Sequence, residues 1–463
     1  HIEAHSFPTR RSSDLTETFK DKLPKWVSFA KVRGSWAQVG NDTSPYYINS
    51  GYSVATYQRG DRKIYGMTIP ENMKSTNLKP ERKNAWEVGL DWRFLDSRIG
   101  VDLTYYKENT RNQIMTINVP WESGVKEKLI NAGNIQNSGI EIALNTTPIK
   151  KKQWQWDLNF TYTRNRNKIV ELSPDVTSYI NLDGAANYGN YRIASVAKVG
   201  SDYGMLMSDS WIKTDEKTGK PVVGYTNKFR TVYYKRGGTV KEVGSMLPNF
   251  LGSLNSTLRW KDLSLYVLFD ARFGGYVASY NSRYATAYGF SGETEKYRKG
   301  MTWTSKYANA QDKVFTDGFI PDVVFDAGTI VTTPGGTNQD VSGMTYQEAY
   351  EKGYVEPAHL QSAAYFKNSW GTGVINDDWF KKINYIALRE ITLSYNVPTK
   401  ISSYIGAKNL SLSFTGRNLA YLLNTAPNHE NPESVRGTGA AQFRMRSFMP
   451  YTASYLFTLN ATF

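Results

Sequence analysis

The final stretch of the chain, Pro450 to Phe463, alternates apolar and polar side chains with a single interruption at Leu456. Successive side chains of an extended strand point to opposite faces, so one face carries the apolar members Tyr451, Ala453, Tyr455, Phe457, Leu459, Ala461 and Phe463. A strand of a soluble sheet usually ends after about 5–6 residues, whereas a tilted strand needs roughly 9–11 residues to cross a bilayer. This stretch is therefore long enough to span a membrane with its apolar face toward lipid.

The same alternation recurs along the chain, and several of the stretches that carry it are joined by tight turns. In one hairpin, residues 84–94 and 99–109 flank a turn at 95–98, with one charged face and one apolar face. The complete set of predicted spans lies near residues 26–38, 84–94, 99–109, 137–147, 154–164, 249–260, 263–273, 382–396, 409–418 and 450–463. Their even number is usual for bacterial outer-membrane barrels.

The connections between the predicted spans are either short or very long. The long ones are polar and cover residues 41–84, 111–136, 165–249, 273–381 and 419–449. Loops above about 15 residues are uncommon in a compact soluble domain, whereas barrels combine short periplasmic turns with long extracellular loops. With the C-terminus in the periplasm, every short turn falls on the periplasmic side. We therefore expect an all-β fold, an antiparallel transmembrane β-barrel.

The composition agrees with a barrel and excludes several other classes. No run of the 463 residues approaches the ~18 apolar residues that a membrane-spanning helix needs, but a barrel strand needs an apolar residue only at every second position. Aromatic residues make up 14%, including 32 Tyr and 12 Trp, which suit a membrane interface. There is no Cys, and the four His are scattered, so no metal site or cofactor is expected.

The net charge of +14 raises the question of nucleic-acid binding. Lys and Arg are dispersed, however, and the densest runs, Lys150 to Lys152 and Arg444 with Arg446, are short and lie beside predicted strand ends. Solvated turns or contacts with lipopolysaccharide explain these runs better. We expect no nucleic-acid partner.

Residues 1–15, HIEAHSFPTRRSSDL, lack the apolar core of a secretory signal. The stretch SFPTRRSSDL resembles translated sequencing-adaptor read-through at the ends of metagenomic gene fragments. We expect residues 1–15 to be non-native and residues 16–463 to be the C-terminal part of a larger barrel whose plug and N-terminal strands are absent from this chain.

Several motifs resemble the SusC and RagA family of TonB-dependent outer-membrane transporters of Bacteroidetes. They are LKPERKNAWEVGLDWRFLDSRIGVDLTYY (78–106), NAGNIQNSGIEIALNTTP (131–148), SMLPNFLGSLNSTLRWKDLSLYVLFDARFGG within 244–275, YIALREITLSYNVP (385–398), LSFTGRNLAYL (412–422) and NPES (431–434). They occur in order over nearly all of residues 24–463. The resemblance implies about ten strands of a barrel of about 22 strands.

The same resemblance implies active import across the outer membrane of a Gram-negative, Bacteroidetes-like bacterium. A glycan or peptide ligand would be captured under a SusD-like lipoprotein lid, and the TonB–ExbB–ExbD complex would act through the missing plug. The barrel-insertion machinery, outer-membrane lipid and lipopolysaccharide are the other implied partners. The C-terminal strand, which ends in an aromatic residue, would carry the insertion signal at Tyr455, Phe457, Leu459 and Phe463.

Two sets of side chains are candidates for contact with the ligand, the plug or the lid. Polar residues on the lumen-facing side of the predicted strands would line the interior: Glu87, Asp91, Arg93, Asp102, Asp157, Asp270 and Arg272. Aromatic residues in the long stretch 274–381 would stack on sugar rings or contact the lid: Tyr284, Tyr288, Trp303, Trp370 and Trp379. No catalytic constellation is apparent, so an enzyme is not expected.

Three alternatives remain open from the sequence. The first is a different TonB-dependent receptor, for a siderophore or cobalamin. The second is an unplugged porin. The third, from another class, is a secreted adhesion or binding protein built from β-sandwiches.

Overall fold

The computed structural model describes residues 9–463 apart from 19–21, 183–192, 288, 289, 291, 293–299, 360–379, 437–442, 446–449 and the isolated positions 44, 47, 50, 76, 120, 132, 174, 175, 177, 178 and 229. Its principal feature is a large antiparallel sheet. The path through this sheet follows the chain order: β1 (Thr9–Asp14), β2 (Val27–Asn41), β3 (Glu81–Phe94), β4 (Ile99–Arg111), β5 (Asn134–Lys150), β6 (Trp154–Glu171), β7 (Phe250–Trp260), β8 (Leu263–Ser279), β9 (Phe380–Val397), β10 (Asn409–Asn424) and β11 (Ser454–Thr462).

Each predicted span forms a strand of this sheet, from β2 to β11. Several strands extend beyond the predicted spans: β6 runs to Glu171, β8 to Ser279 and β10 to Asn424. The long stretches therefore begin later than the sequence pattern indicates. The segment expected to be non-native also contributes, because Thr9–Asp14 pairs with β2 at one edge of the sheet.

The register places the alternating side chains on two continuous faces. Trp36 lies opposite Trp86, Leu90 opposite Leu103, and Phe414 opposite Phe457, so apolar side chains adjoin across neighbouring strands on one face. Phe414 and Phe457 are 53% and 72% exposed, and large apolar side chains in such a continuous band require a covering of lipid. Leu456, the interruption in the alternation, lies opposite Thr415 on the polar face.

The two ends of the strands differ in their connections. At one end the turns are short, at 95–98, 151–153, 261–262 and 398–408. In the first of these, Leu95, Asp96 and Ser97 all have positive φ, and the Arg98 amide donates to the Leu95 carbonyl at 3.1 Å. At the other end lie the long connections 42–80, 112–133, 172–249, 280–379 and 425–453. This asymmetry confirms the predicted arrangement of an antiparallel barrel wall.

The long loops contain short strands and helices of their own. The strands are Ser53–Arg59, Arg62–Thr68, Asn72–Met73, Ile114–Asn118, Glu127–Asn131, Tyr179–Asn181, Ile193–Lys198, Met205–Ser208, Val222–Thr226, Thr231–Tyr234, Lys241–Ser245, Met301–Thr304, Val314–Phe319, Val324–Phe325, Ile330–Thr332, Asn338–Asp340, Ala358–His359, Val435–Arg436 and Arg444–Met445. The α-helices α2 (Tyr280–Ala287) and α3 (Tyr346–Glu351) lie in the loop 280–379, whereas α1 (Leu15–Thr18) lies between β1 and β2 and α4 (Thr399–Ser402) lies in a short turn. Single 3₁₀ turns cover Trp121–Ser123, Ala308–Ala310, Ser403–Ile405 and Pro427–His429. No helix of the described residues is long and apolar enough to cross a membrane.

Two of the long loops share one hydrophobic core. Val222–Thr226 from the loop 172–249 pairs in parallel with Val324–Phe325 from the loop 280–379. The helix α3 covers this pairing and begins with a capping box between Thr345 and Glu348. The buried members of the core are Val223, Val232, Val323, Phe325, Val331, Val341, Tyr346, Ala349, Val355 and Ala358. We call this unit the loop module.

Candidate functional site

The polar face of the sheet is a connected surface of hydrogen-bonded side chains. For example, Asn159 Nδ2 on β6 donates a hydrogen bond to Asn255 Oδ1 on β7 at 2.7 Å. On β9 and β10 the Thr392 and Thr415 hydroxyls lie 2.9 Å apart. Cross-strand pairs of this kind stabilise a sheet and leave a hydrated, hydroxyl- and amide-rich surface. Such a surface suits a water-filled interior.

Arg33 on β2 contacts two of the residues predicted to line the interior, Glu87 and Asp102. Its guanidinium donates to both oxygens of Asp102 at 2.8 and 2.5 Å and to the Thr104 hydroxyl at 2.5 Å. Glu87 lies 3.8 Å from Arg33 Nε. The fork geometry of a bidentate arginine–carboxylate pair fixes three adjacent strands in register. Sequence reasoning selected Glu87 and Asp102 but missed the arginine between them.

The other predicted interior residues of β3 and β6 pair locally. Asp91 and Arg93 lie two positions apart on the same face, with 3.6 Å between Arg93 Nη2 and Asp91 Oδ2. Asp157 accepts from Thr147 Oγ1 at 2.8 Å and from Arg259 Nη1 at 2.7 Å. These contacts place Asp91, Arg93 and Asp157 on the polar face and account for their charges within the wall itself.

A second arginine, Arg389, lies at an irregularity of β9. The register with β8 shifts between Leu268 and Phe269, and that with β10 shifts between Leu388 and Glu390, so Arg389 is unpaired on both sides. Simple alternation would place it with Ile391 on the apolar face. A β-bulge re-aims a side chain, and here it turns Arg389 to the polar face.

Arg389 joins the wall to the last long loop. Its guanidinium donates to Asp270 Oδ2 on β8 at 2.8 Å and to the two oxygens of Glu433 at 2.7 and 2.6 Å. The Tyr421 hydroxyl donates to Glu433 at 2.8 Å, and that of Tyr385 at 3.4 Å. We call these five residues the Arg389 cluster. It brings the predicted Asp270 together with four residues that the candidate set lacked.

Residues 424–436, here called the anchor segment, lie against this cluster. Asn431 Oδ1 accepts from the Tyr421 hydroxyl at 3.1 Å, and Glu430 accepts from the Ser279 hydroxyl at 2.9 Å. Burial raises the pKa of Glu433, but the hydrogen bonds from Arg389 and Tyr421 outweigh it and hold that pKa below its usual value. At Glu430, burial prevails over the bond from Ser279 and raises the pKa to about 7.

Arg272, the remaining predicted interior residue, supports the backbone above the wall. Its Nη2 donates to the Met246 carbonyl at 3.3 Å, and its Nε donates to the Gly274 carbonyl at 3.3 Å. Gly274 and Gly275 have φ values of 87° and 89°, which favour glycine, and a Cβ at Gly275 would lie 2.6 Å from the Arg272 guanidinium. Arg272 therefore holds the backbone that leads into β7, at Met246, against the outer part of β8, at Gly274.

The predicted aromatic contacts are only partly within the described residues. Trp303 stacks on Phe315 with ring centroids 5.0 Å apart, and its indole N–H donates to Glu356 Oε2 at 3.2 Å. Next to this pair, His359 Nδ1 lies 3.2 Å from Asp317 Oδ1. Tyr284 lies on α2, in a different part of the same loop. Tyr288, Trp370 and Trp379 lie outside the described residues.

A polar cavity of about 650 Å³ opens where β6 extends beyond its pairing with β7. Its volume falls within the range of small-ligand pockets. The lining is rich in amide and cationic groups: Gln136, Ser138, Arg164, Asn165, Arg166, Asn167, Lys168, Gly200, Asp202, Leu247, Pro248 and Asn249. The sequence analysis did not select these residues, because polar residues near a strand end are not distinctive.

The C-terminal strand has the expected geometry. Tyr455, Phe457 and Leu459 lie on the apolar face opposite Gly416, Phe414 and Leu412 of β10, and all three are exposed. Phe463 follows the end of β11 and is exposed as well, while its backbone carbonyl accepts from Lys408 Nζ at 3.2 Å.

Comparison with known proteins agrees with this geometry. Residues 21–211 match the family described as TonB dependent receptor-like, beta-barrel. The chain is 23% identical over 84% of its length to TonB-dependent receptor P26 of Formosa agariphila, covering 35% of that protein. It is 28% identical over 42% of its length to TonB-dependent receptor SusC of Bacteroides thetaiotaomicron, covering 20% of that protein.

The RagAB peptide transporter is similar in structure, with a TM-score of 0.67 over 99% of this chain and 43% of that chain, at 14% identity. The chain is therefore similar to the SusC/RagA-like TonB-dependent receptors in sequence and in the fold of its barrel strands. It spans about a third or less of the length of the curated relatives that it matches. TonB-dependent receptors are transport proteins of the outer membrane and are not an enzyme class.

In this SusC/RagA-like barrel the resemblance motifs coincide with the described clusters. The motif at 385–398 contains Tyr385 and Arg389, and the motif at 431–434 contains Asn431 and Glu433. Their occurrence in two resemblance motifs was the sequence signal for these residues, but neither motif shows that the two meet. Within the described residues, no group of three or more His, Asp or Glu side chains could hold a metal ion.

Proposed function

We propose that this chain forms wall and outer loops of a TonB-dependent importer of oligosaccharides or peptides in the outer membrane. The observation that carries the proposal is the two-faced sheet: a continuous apolar face, a continuous hydrogen-bonded polar face, and long loops at one end only. Lipid covers the first face and water the second. The similarity to TonB-dependent receptors supports the part of the proposal that import is coupled to energy through TonB.

The polar face supports a role in passage of the ligand or in holding the plug. Glu87, Asp91, Arg93, Asp102, Asp157, Asp270 and Arg272 are proposed to line this interior. Six of them are bonded to side chains of the wall, and Arg272 is bonded to backbone carbonyls. Charged side chains that are already paired keep a fixed arrangement and do not bind a passing ligand tightly. The amide and hydroxyl groups between them remain available for hydrogen bonds to the ligand.

The long loops support a role in ligand or lid contact. Trp303 presents a partly exposed ring fixed by Phe315 and Glu356, and a fixed flat ring suits the apolar face of a sugar or a peptide side chain. Tyr284, Tyr288, Trp370 and Trp379 stay proposed contacts of the same kind.

Partners follow from the family. A SusD-like lipoprotein would cover the long-loop end, and TonB–ExbB–ExbD would act through a plug inside the polar face. The barrel-insertion machinery would recognise Tyr455, Phe457, Leu459 and Phe463, and the apolar face would contact outer-membrane lipid, with lipopolysaccharide at the long-loop end. No part of this arrangement calls for nucleic acid.

The test is uptake by cells that carry the protein in their native outer membrane. Labelled oligosaccharide and peptide pools are offered to cells with the gene, without it, and with it after collapse of the proton gradient. We expect accumulation of one pool only in energised cells that have the gene. Equal accumulation in all three would overturn the importer proposal, and accumulation that survives loss of the gradient would indicate a porin.

Trp303→Ala tests the proposed contact. We expect the ligand concentration for half-maximal uptake to rise roughly tenfold, which corresponds to about 1.4 kcal/mol. The matched control is Tyr404→Ala, an 89% exposed aromatic residue at the short-turn end. An unchanged half-maximal concentration in the Trp303 variant, with normal abundance at the surface, would remove Trp303 from the site.

A further inference from the structure

The short-turn end of the sheet carries a compact basic patch at the turns β5–β6 and β7–β8. Lys151 and Lys152 occupy the first turn, and Lys261 occupies the second. The Lys261 amide donates to the Gln153 carbonyl at 3.0 Å, so the two turns are joined. All three lysines are exposed, and within the described residues none of them forms an ion pair.

A pair of indole rings lies directly beside these lysines on the apolar face. Trp154 and Trp260 are stacked with centroids 5.5 Å apart and an interplanar angle of 24°, and each is 42% exposed. Lys261 Nζ lies 5.3 Å from the centroid of Trp260. Indole rings favour the headgroup level of a bilayer, and lysine side chains extend from that level toward phosphate groups. The two features therefore mark the same boundary of the membrane.

The position of this patch also bears on the expected contact with lipopolysaccharide. Lys150 to Lys152 lie at the short turns, whereas the long loops lie at the opposite end of the strands. In the orientation of the proposed importer, the short turns face the periplasm. Lipopolysaccharide of the outer leaflet is therefore at the wrong end for this patch, while phospholipid of the inner leaflet lies beside it.

We propose that Lys151, Lys152 and Lys261, together with the Trp154–Trp260 pair, bind the headgroup of an anionic glycerophospholipid in the periplasmic leaflet. We choose this ligand because its charge is complementary to the patch: the three ammonium groups, which form no ion pair with any residue that the structure describes, would contact the phosphate. The stacked indoles would pack on the glycerol and the upper acyl region. The inference rests on the proposed placement in the outer membrane, but it does not depend on what the protein imports.

The experiment measures lipid binding to the protein purified from the outer membrane. Native mass spectrometry in detergent titrates phosphatidylglycerol, with phosphatidylcholine as the zwitterionic comparison. The triple substitution K151Q, K152Q and K261Q should weaken phosphatidylglycerol binding on the order of 100-fold, since each of the three lysines near a headgroup contributes about fivefold. Binding of phosphatidylcholine should be weak in both proteins.

Two further variants separate the site from general effects. The triple Arg substitution at the same positions keeps the charge and should bind as the wild type does. A matched control removes the same charge from exposed lysines of the long loops, namely K217Q, K313Q and K352Q, and should also leave binding unchanged. Heat-modifiable gel mobility confirms that each variant is folded.

Wild-type affinity in the triple Gln variant, or an equal loss in the long-loop control, would overturn the lipid site. Competition by a soluble anionic muropeptide for the same lysines would overturn it in favour of the cell wall as partner. A protein that is recovered from the outer membrane and imports its ligand, yet fails these tests, refutes this inference alone. Lipid binding without energised uptake would refute the importer proposal alone.

Discussion

Glu433→Gln should weaken the docking of the anchor segment on the wall. The carboxylate of Glu433 receives two hydrogen bonds from Arg389 and one from Tyr421, at 2.7, 2.6 and 2.8 Å. A glutamine of the same shape keeps the packing but loses the negative charge. Arg389 retains Asp270 as its partner, so no isolated buried charge is left behind. The perturbation therefore acts on the link between wall and segment and spares the wall.

The magnitude follows from the geometry and the exposure. Charge-assisted hydrogen bonds are roughly twice as strong as neutral ones, and each of the two Arg389 bonds should lose about 0.5–1 kcal/mol. The side chains of Arg389 and Glu433 are 18% and 39% exposed, so solvent screens part of the interaction, and the lower half of this range is appropriate for it. A total of about 1–1.5 kcal/mol corresponds to roughly a 5- to 13-fold larger population of the released segment.

The assay is maleimide labelling of a cysteine introduced as S434C in intact outer membranes. The chain contains no Cys, so it contributes no background of its own. The labelling rate should rise roughly 5- to 13-fold when E433Q is added. The matched control is E390Q, which removes the same charge from the polar face: Glu390 pairs with Arg417 at 3.0 Å within the wall. Unchanged labelling in E433Q, or an equal increase in E390Q, would refute the anchoring role of Glu433.

Two further predictions concern the long-loop end. Burial raises the pKa of Glu430 to about 7, so the contribution of Glu430 to docking is complete below about pH 4.5 and is lost as the pH rises to about 7. The lowered pKa of Glu433 acts in the opposite sense, but only below about pH 4.5. The S434C labelling rate, normalised to the unfolded protein, should therefore rise between about pH 4.5 and 7 and become flat in Glu430→Gln. Phe325→Ala removes a 1% exposed side chain from the loop module and should lower the stability of the module by about 3–5 kcal/mol. Trypsin should then cut within residues 300–359 on intact cells, while heat-modifiable gel mobility shows that the barrel is still folded. Protease resistance equal to that of the wild type would contradict the shared core.

The alternation of side chains was sufficient to predict the sheet. Strands from β2 to β11 follow from period-two patterns because each strand has to satisfy lipid on one side and water on the other. The turn at 95–98 followed from its short polar sequence. Strand ends were less well predicted, since β6 and β8 continue into polar or glycine-rich stretches where lipid no longer imposes the alternation.

The Arg389 cluster could not be predicted in the same way. A bulge shifts the face of Arg389, and bulges depend on pairing with both neighbouring strands rather than on local sequence. Glu433 reaches Arg389 across 44 residues of sequence, and Asp270 across 119. The parallel pairing of Val222–Thr226 with Val324–Phe325 is likewise a long-range contact without a periodic signal of its own.

The distribution of bonds indicates where this barrel can respond to a ligand. The wall is fixed, because its polar side chains bond to one another across consecutive strands. The loop module is one packed unit, because two loops share a single core around Phe325. The anchor segment is held in two ways: by the hydrogen bonds around Arg389, and by packing of Ala426 and Val435 in a cluster with Tyr385. A charged or hydroxyl-bearing ligand that competes for Arg389 would remove the bonds to Glu433 and weaken the docking of this segment without breaking any strand pairing.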